Sequence, residues 1–215
     1  MIRTLARLAV LAAGAAVVAD ATLHARRGDR APEALEMLLV VDAPIDAVWR
    51  ALSDIERQPR WMTDLKAVRL TTDGPVGVGT RAEGTVRILG VSIADPIEVT
   101  AFDAPTRFAI RHVGTFRGRG TIELEAGVDG TTTVVRWSEV LISPILPDLG
   151  AALQAPVLRR VFQDDLFRLK DLVEAETDTQ READVQAETG AAIALPAERA
   201  PEPTVEPANP ATAPA

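Results

Sequence analysis

Apolar and polar residues alternate along the middle of the chain in a pattern that predicts β-strands. The first predicted strand, Leu35 to Val41, is almost continuously apolar. Six further strand-like runs follow, at 64–72, 79–89, 91–102, 106–117, 118–126 and 131–141. The segments between the runs are rich in Gly, Pro and Asp, the residues that tight turns require. Regular spacing with short connections is typical of antiparallel strands.

A short amphipathic helix is predicted directly after the first strand. Its apolar positions are Ile45, Val48, Trp49 and Leu52, which fall on one face at helical spacing. Asp42 is expected to cap this helix, with Pro44 in its first turn. Pro59 breaks the chain before Trp61.

The longest predicted helix lies at the end of the apolar part of the chain. One stripe contains Leu158, Phe162, Leu166, Leu169 and Val173. Pro156 either starts this helix or kinks it relative to a preceding turn over 148–155. A sheet and a helix that each have one apolar side must bury those sides against each other. The pattern therefore predicts an α+β helix-grip fold, in which a curved antiparallel sheet wraps around a long C-terminal helix.

The first 32 residues form an N-terminal hydrophobic segment followed by a basic linker. An uncharged run of twelve residues, 8–19, follows two arginines. That length suits a signal peptide better than a membrane span of roughly 20 residues, and Ala19-Asp20-Ala21 fits a small-x-small cleavage site. Alternatively the run extends over 5–23, if Arg7 near its start and Asp20 near its end are tolerated. Three arginines then follow the segment, against two that precede its uncharged centre, which would anchor the domain on the cytoplasmic side.

We favour membrane association through this single segment, with export after signal-peptide cleavage as the alternative and a plain soluble helix as the third reading. At the other end, residues 177–215 form an acidic tail rich in Ala, Pro, Glu and Thr. Such a composition buries too little surface to fold, so the tail is predicted to be disordered, apart from a short helical extension through about Glu188. The folded domain is expected to occupy residues 33–176.

Charge and residue inventory exclude several functions. The net charge of −8 comes from an acidic domain and an acidic tail, which would repel nucleic acid. The chain has no cysteine, and His112 is the one histidine of the predicted domain, so neither a metal nor another cofactor is expected. A Ser-His-Asp triad is not indicated either, because no GxSxG motif occurs.

Four segments, in this order, resemble the SRPBCC superfamily, which includes START, Bet v 1 and polyketide cyclase/dehydrase-like proteins. They are Ala43 to Trp61, VGVGT at 76–80, GTTTVVRW at 130–137 and DLFRLKDLVE at 165–174. The resemblance covers about 140 residues and implies a helix-grip fold around an apolar cavity. It therefore implies a hydrophobic small-molecule ligand, such as a lipid, an isoprenoid or a polyketide-like compound.

Strand alternation suggests which side chains face such a cavity. Phe108, Ile110 and His112 share one face of their strand, as do Val135 and Trp137 on the last strand. Together with Trp61 near the expected opening and Phe162 on the long helix, they form the predicted ligand-binding set: Trp61, Phe108, Ile110, His112, Val135, Trp137 and Phe162. Each of these residues would equally suit a solid core, and only a cavity separates the two interpretations.

Other polar residues are interpreted structurally. Asp95, just before Pro96, is expected to mark a β-bulge. On a solvated outer face, Glu123, Glu125 and Glu139 are expected to pair with four arginines of the later strands, Arg111, Arg117, Arg119 and Arg136.

The leading functional hypothesis is a binding module that carries or sequesters a hydrophobic molecule near a membrane. The second is a cyclase/dehydratase-type or hydrolase-type enzyme acting in the same cavity, with His112 and either Glu98 or Asp64 as its acid/base pair. The predicted inner faces are too apolar to favour catalysis. A third hypothesis is an assembly factor without a cavity. No catalytic residue is assigned from the sequence, and protein partners are left open.

Overall fold

The computed structural model describes residues 2–28, 30, 33–88, 90–142 and 146–193. Three α-helices, a 3₁₀ helix and seven strands lie within these ranges. In chain order they are α1 Ile2–Arg27, β1 Leu35–Val41, α2 Ile45–Ser53, the 3₁₀ helix Ile55–Arg60, β2 Leu65–Leu70, β3 Arg81–Ile88, β4 Val91–Asp103, β5 Arg107–Val113, β6 Arg117–Ala126, β7 Thr133–Ile142 and α3 Pro147–Ile193.

The seven strands form one antiparallel sheet in the order β1-β7-β6-β5-β4-β3-β2. Strands β2 to β7 follow one another as a meander, and β1 pairs with β7, so that Leu35 lies opposite Glu139 and Val41 opposite Thr133. One face of the sheet is apolar and buried, and it packs with the stripe Leu166, Leu169 and Val173 of α3 in a single hydrophobic core. This architecture confirms the predicted helix-grip fold.

Two local predictions at helix and strand irregularities are wrong. Pro44 occupies the cap position of α2, and no side chain caps the helix. Asp42 instead accepts a hydrogen bond from Lys170 Nζ at 3.2 Å. Asp95 pairs in regular register with Gly84, and the irregularity of β4 lies between Val99 and Ala101. Pro96 is tolerated because pairing of β4 with β5 begins one residue later.

Helix α3 is longer than the sequence predicted. It begins at Pro147 and contains Pro156, so the predicted turn over 148–155 is helical instead. It also continues to Ile193, beyond the extension to about Glu188. The chain divides into two compact units, the first ending at Asp178 and the second beginning at Thr179. In the second unit, Gln180 Nε2 donates a hydrogen bond to Asp184 Oδ1 at 2.9 Å. The predicted disorder of 194–215 lies outside the described residues.

Candidate ligand-binding site

A row of ionisable side chains crosses the inner face of the sheet near one end. His112 on β5 lies at its centre, with Nδ1 2.8 Å from Asp95 Oδ2 on β4 and Nε2 3.2 Å from Glu139 Oε1 on β7. The indole Nε1–H of Trp137 donates to Glu139 Oε2 at 3.0 Å. Asp95 and Glu139 are buried, and the side chain of His112 is only 11% exposed. We call these three residues the buried ionic row.

A glycine on β6 leaves the space that the side chain of Glu139 occupies in the row. Strand β6 lies between β5 and β7, and Gly120 is directly opposite Glu139 on one side and Ile110 on the other. A Cβ atom at Gly120 would lie 2.4 Å from Glu139 Oε2. The missing side chain therefore lets the carboxylate of Glu139 reach across β6 to the imidazole of His112.

Hydrogen bonding determines the charge of His112. Burial alone would lower the pKa of its imidazole, but the hydrogen bonds that the ring donates to Asp95 and Glu139, and the charges of both carboxylates, raise the pKa from 6.5 to about 10. At neutral pH both ring nitrogens are therefore protonated and both donate to carboxylates. His112 consequently has no free lone pair at neutral pH with which to act as a general base.

Two buried polar atoms near the row have no hydrogen-bond partner among the described residues. They are Asp95 Oδ1 and the indole nitrogen of Trp61. Trp61 is only 2% exposed. More than nine-tenths of buried polar groups in native proteins are paired, so each of these two atoms is an uncommon feature.

An aromatic cluster lies between this part of the sheet and α3. The ring centroid of Trp137 is 6.2 Å from that of Trp61 and 4.9 Å from that of Phe162. The loop containing Trp61 is hydrogen-bonded to α3, because Thr63 N–H donates to Oδ1 of the buried Asp165 at 2.7 Å. Burial raises the pKa of Asp165, and this hydrogen bond opposes the increase.

The structure brings four of the seven predicted site residues together. Trp61, Trp137 and Phe162 form the aromatic cluster, and His112 joins it through Glu139. Phe108 belongs to a second cluster, with its ring centroid 6.1 Å from that of Phe102. Val135 is fully buried in the core, and Ile110 is partly buried and packs against the core. That any of them contacts a ligand stays a prediction.

Two hollows among the described residues bear on the expected cavity, and neither separates the rings of the aromatic cluster. One, beside Trp61 at the expected opening, has a volume of about 10 Å³, close to the minimum for one water molecule. The other, of about 300 Å³, is lined by Thr106, Arg107, Glu123, Leu124, Glu125 and Arg136. Most of its lining is charged and exposed. The aromatic side chains thus meet in the space where a ligand was expected.

Sequence reasoning missed both carboxylates of the row. Glu139 was expected on the solvated outer face, but it is only 3% exposed. Strand alternation contains the correct signal, because Glu139 has the same parity as Val135 and Trp137 and therefore faces the same side. The outer-face prediction holds for Arg136, which pairs with Glu125 at 3.9 Å. Arg111 pairs instead with Glu98, at 3.3 Å.

Comparisons with solved structures identify the class of fold. The Zhui aromatase/cyclase from a Streptomyces species matches with a TM-score of 0.55 at 18% identity, covering 66% of this chain and 93% of that one. The di-domain ARO/CYC BexL of the BE-7585A biosynthetic pathway matches with a TM-score of 0.53 at 20% identity, covering 65% and 45%. A Deinococcus radiodurans protein matches with a TM-score of 0.50 at 19% identity, covering 66% and 96%. These likenesses establish a helix-grip fold.

The sequence itself identifies the family. Residues 35–174 match the model of the family described as polyketide cyclase/dehydrase and lipid transport. The chain therefore belongs to that family, within the SRPBCC superfamily that the four sequence segments indicated. No curated protein sequence matches this chain significantly.

Proposed function

We propose that the domain binds a hydrophobic small molecule between the sheet and α3, with a polar group of the ligand at the buried ionic row. The observation that carries this proposal is two unpartnered buried atoms, Asp95 Oδ1 in the buried ionic row and Trp61 Nε1 in the aromatic cluster. Family membership supports it, because the family description includes lipid transport.

The chemistry of the two atoms defines the ligand. A carboxylate oxygen only accepts hydrogen bonds and an indole N–H only donates them. A hydroxyl group on an otherwise apolar molecule suits either atom, since its hydrogen can bond to Asp95 and its oxygen can accept from Trp61. An anionic ligand such as a fatty carboxylate would meet repulsion from Asp95 and Glu139 and is disfavoured.

Binding requires the aromatic rings to separate. An aromatic pair contributes about 0.5–1.5 kcal/mol beyond the area that it buries. Burying about 200 Å² of apolar ligand surface contributes about 5 kcal/mol at 25 cal/mol per Å². Separating Phe162 from Trp137 therefore costs less free energy than the burial of a ligand of ordinary size contributes.

A matched pair of fluorescent probes tests the proposal on the full chain in detergent micelles. 9-Anthracenemethanol carries a hydroxyl, and 9-anthracenecarboxylate carries an anion on the same apolar ring system. We expect saturable binding of the alcohol with quenching of tryptophan fluorescence, and at least tenfold weaker binding of the carboxylate. The variant Asp95→Asn should reduce this preference, whereas the exposed control Asp46→Asn should not. Absence of saturable binding of either probe would contradict the proposal.

Catalysis in the same site is the second candidate function, because the family description also names a cyclase/dehydrase. The protonated His112 could only donate a proton, and a donor whose pKa is about 10 is a weak acid at neutral pH. We therefore prefer binding without turnover. Substrate-dependent turnover that disappears in His112→Gln, with ligand binding retained, would favour the enzyme instead.

A further inference from the structure

The last turns of α1 contact the beginning of α3. Asp20 Oδ1 accepts hydrogen bonds from the backbone N–H groups of Asp148, at 2.9 Å, and Leu149, at 2.8 Å. Arg27 Nε donates to Asp148 Oδ1 at 2.6 Å, and His24 Nδ1 lies 3.0 Å from Asp148 Oδ2. We call this set of contacts the α1–α3 clasp.

The clasp provides hydrogen-bond partners for polar groups of both helices. The first N–H groups of a helix have no partner within the helix, and a carboxylate oxygen is a preferred acceptor for them. In α3 that carboxylate comes from Asp20, which is more than 120 residues away in the chain. The same bonds satisfy Asp20, a residue that would otherwise be a costly unpaired charge near the end of an apolar helix.

Helix α1 has the dimensions of a membrane span. The segment Leu8–Arg27 contains 20 residues with a mean hydropathy of 1.7, and none of it is buried in the protein. At 1.5 Å per residue it is about 30 Å long, which matches the hydrocarbon core of a bilayer. Asp20, His24 and Arg27 lie in its last two turns, about the final 10 Å of the span, so the clasp would lie at the boundary between the hydrocarbon core and the headgroups.

The first turns of α3 present an apolar stripe at that level. Leu149, Leu153 and Val157 recur at four-residue intervals on one side of the helix. Leu153 is 71% exposed and Val157 is 65% exposed. Arg159 and Arg160, both exposed, follow directly. An apolar stripe bordered by arginines is typical of a helix that lies in the interface of an anionic membrane.

We propose that α1 is retained as a membrane anchor and that the α1–α3 clasp lays the segment 147–158 of α3 on the surface of a phospholipid bilayer, with Leu153 and Val157 in contact with lipid. Cleavage after Ala21 would remove Asp20 and leave the Asp148 and Leu149 N–H groups without their acceptor. This inference is independent of ligand binding at the buried ionic row.

The absence of cysteine from the chain gives a direct test. Single variants Leu153→Cys and Val157→Cys, each with a nitroxide label, are placed in nanodiscs of phosphatidylcholine and phosphatidylglycerol. The control is Val128→Cys, in the exposed turn between β6 and β7. We expect labels at 153 and 157 to be several-fold more accessible to oxygen than to an aqueous nickel chelate, with the reverse at 128. Equal accessibility to the aqueous chelate at all three positions would overturn the proposal.

Two further measurements separate the clasp from the anchor. Adding Asp20→Ala to the labelled Leu153→Cys protein should raise exposure of the label to water while the chain stays in the membrane, and Asp46→Ala should have no effect. An unchanged label would overturn the role of the clasp. Intact mass of C-terminally tagged protein from bacterial membranes should include residues 1–21. A chain beginning at Thr22 would overturn retention of α1.

Discussion

At the scale of single residues, the imidazole of His112 connects three strands through two carboxylates. Its pKa is raised from 6.5 to about 10 in the folded protein. A group with a raised folded-state pKa contributes stability that is complete below its unfolded value and is lost as the pH rises through its folded value. The buried ionic row should therefore stabilise the fold fully below about pH 6.5 and lose its contribution by about pH 10.

We expect the free energy of unfolding to fall by a few kcal/mol between pH 6.5 and pH 10, with about 5 kcal/mol as the upper bound at 1.4 kcal/mol per pH unit. Urea denaturation at a series of pH values measures it. His112→Gln should give a flatter profile at lower stability, because the facing carboxylates lose the cation between them. Equal slopes for wild type and His112→Gln would contradict the assignment.

Gly120 offers a second test at this scale. Gly120→Ala places a methyl group against Glu139 Oε2 and should displace the carboxylate from both Trp137 and His112. We expect a loss of about 1–3 kcal/mol of stability, the cost of unpaired buried polar groups, together with a shifted tryptophan emission spectrum. Gly77→Ala is the matched control, because a Cβ there meets nothing within 4 Å. Identical denaturation midpoints in the two variants would refute the steric argument.

The sequence predicted the positions of individual side chains only where alternation was applied consistently. Phe108, Val135 and Trp137 face the core as the parity of their strands required. Glu139 has that same parity but was assigned to the surface, because a charged residue usually lies there. One partner of its carboxylate, Trp137, lies on the same strand, but His112 on β5 and the space left by Gly120 on β6 are not visible within one strand.

At the scale of elements, helix α3 is held by the stripe that its periodicity revealed. Val173 is buried in that stripe, whereas Val185, twelve residues later in the same helix, is exposed. Val173→Ala removes two methyl groups from the core and should cost about 2 kcal/mol of stability. Val185→Ala should change stability by less than about 0.5 kcal/mol. Thermal or urea denaturation of both variants checks this, and similar losses in both would show that the stripe is not the packing surface.

The ends of α3 were harder to predict than its centre. Pro156 suggested a helix start because proline lacks one N–H group, yet the helix begins nine residues earlier, where Asp20 of α1 provides an acceptor. Because that acceptor is distant in sequence, the residues around Pro147 do not by themselves indicate a helix start there. The prediction that Asp42 caps α2 is also wrong, because Asp42 instead accepts a hydrogen bond from Lys170 of α3.

At the scale of the whole molecule, the antiparallel meander and its packing against one long helix followed from the pattern of the chain. A meander of short strands followed by one amphipathic helix has few ways to bury its apolar faces, and the family match over 35–174 agrees with the one predicted. A cavity could not be predicted in the same manner. Whether aromatic side chains fill a space depends on packing in three dimensions, and Trp61, Trp137 and Phe162 meet there.

Binding of a hydrophobic, hydroxyl-bearing molecule beside the buried ionic row is the central claim, and native mass spectrometry of the full chain released from bacterial membranes tests it most directly. We predict a species heavier than the chain by one apolar small molecule, which dissociates on activation and is depleted in Asp95→Asn. A spectrum containing only the unliganded chain, unchanged after incubation with a total lipid extract, would contradict the account.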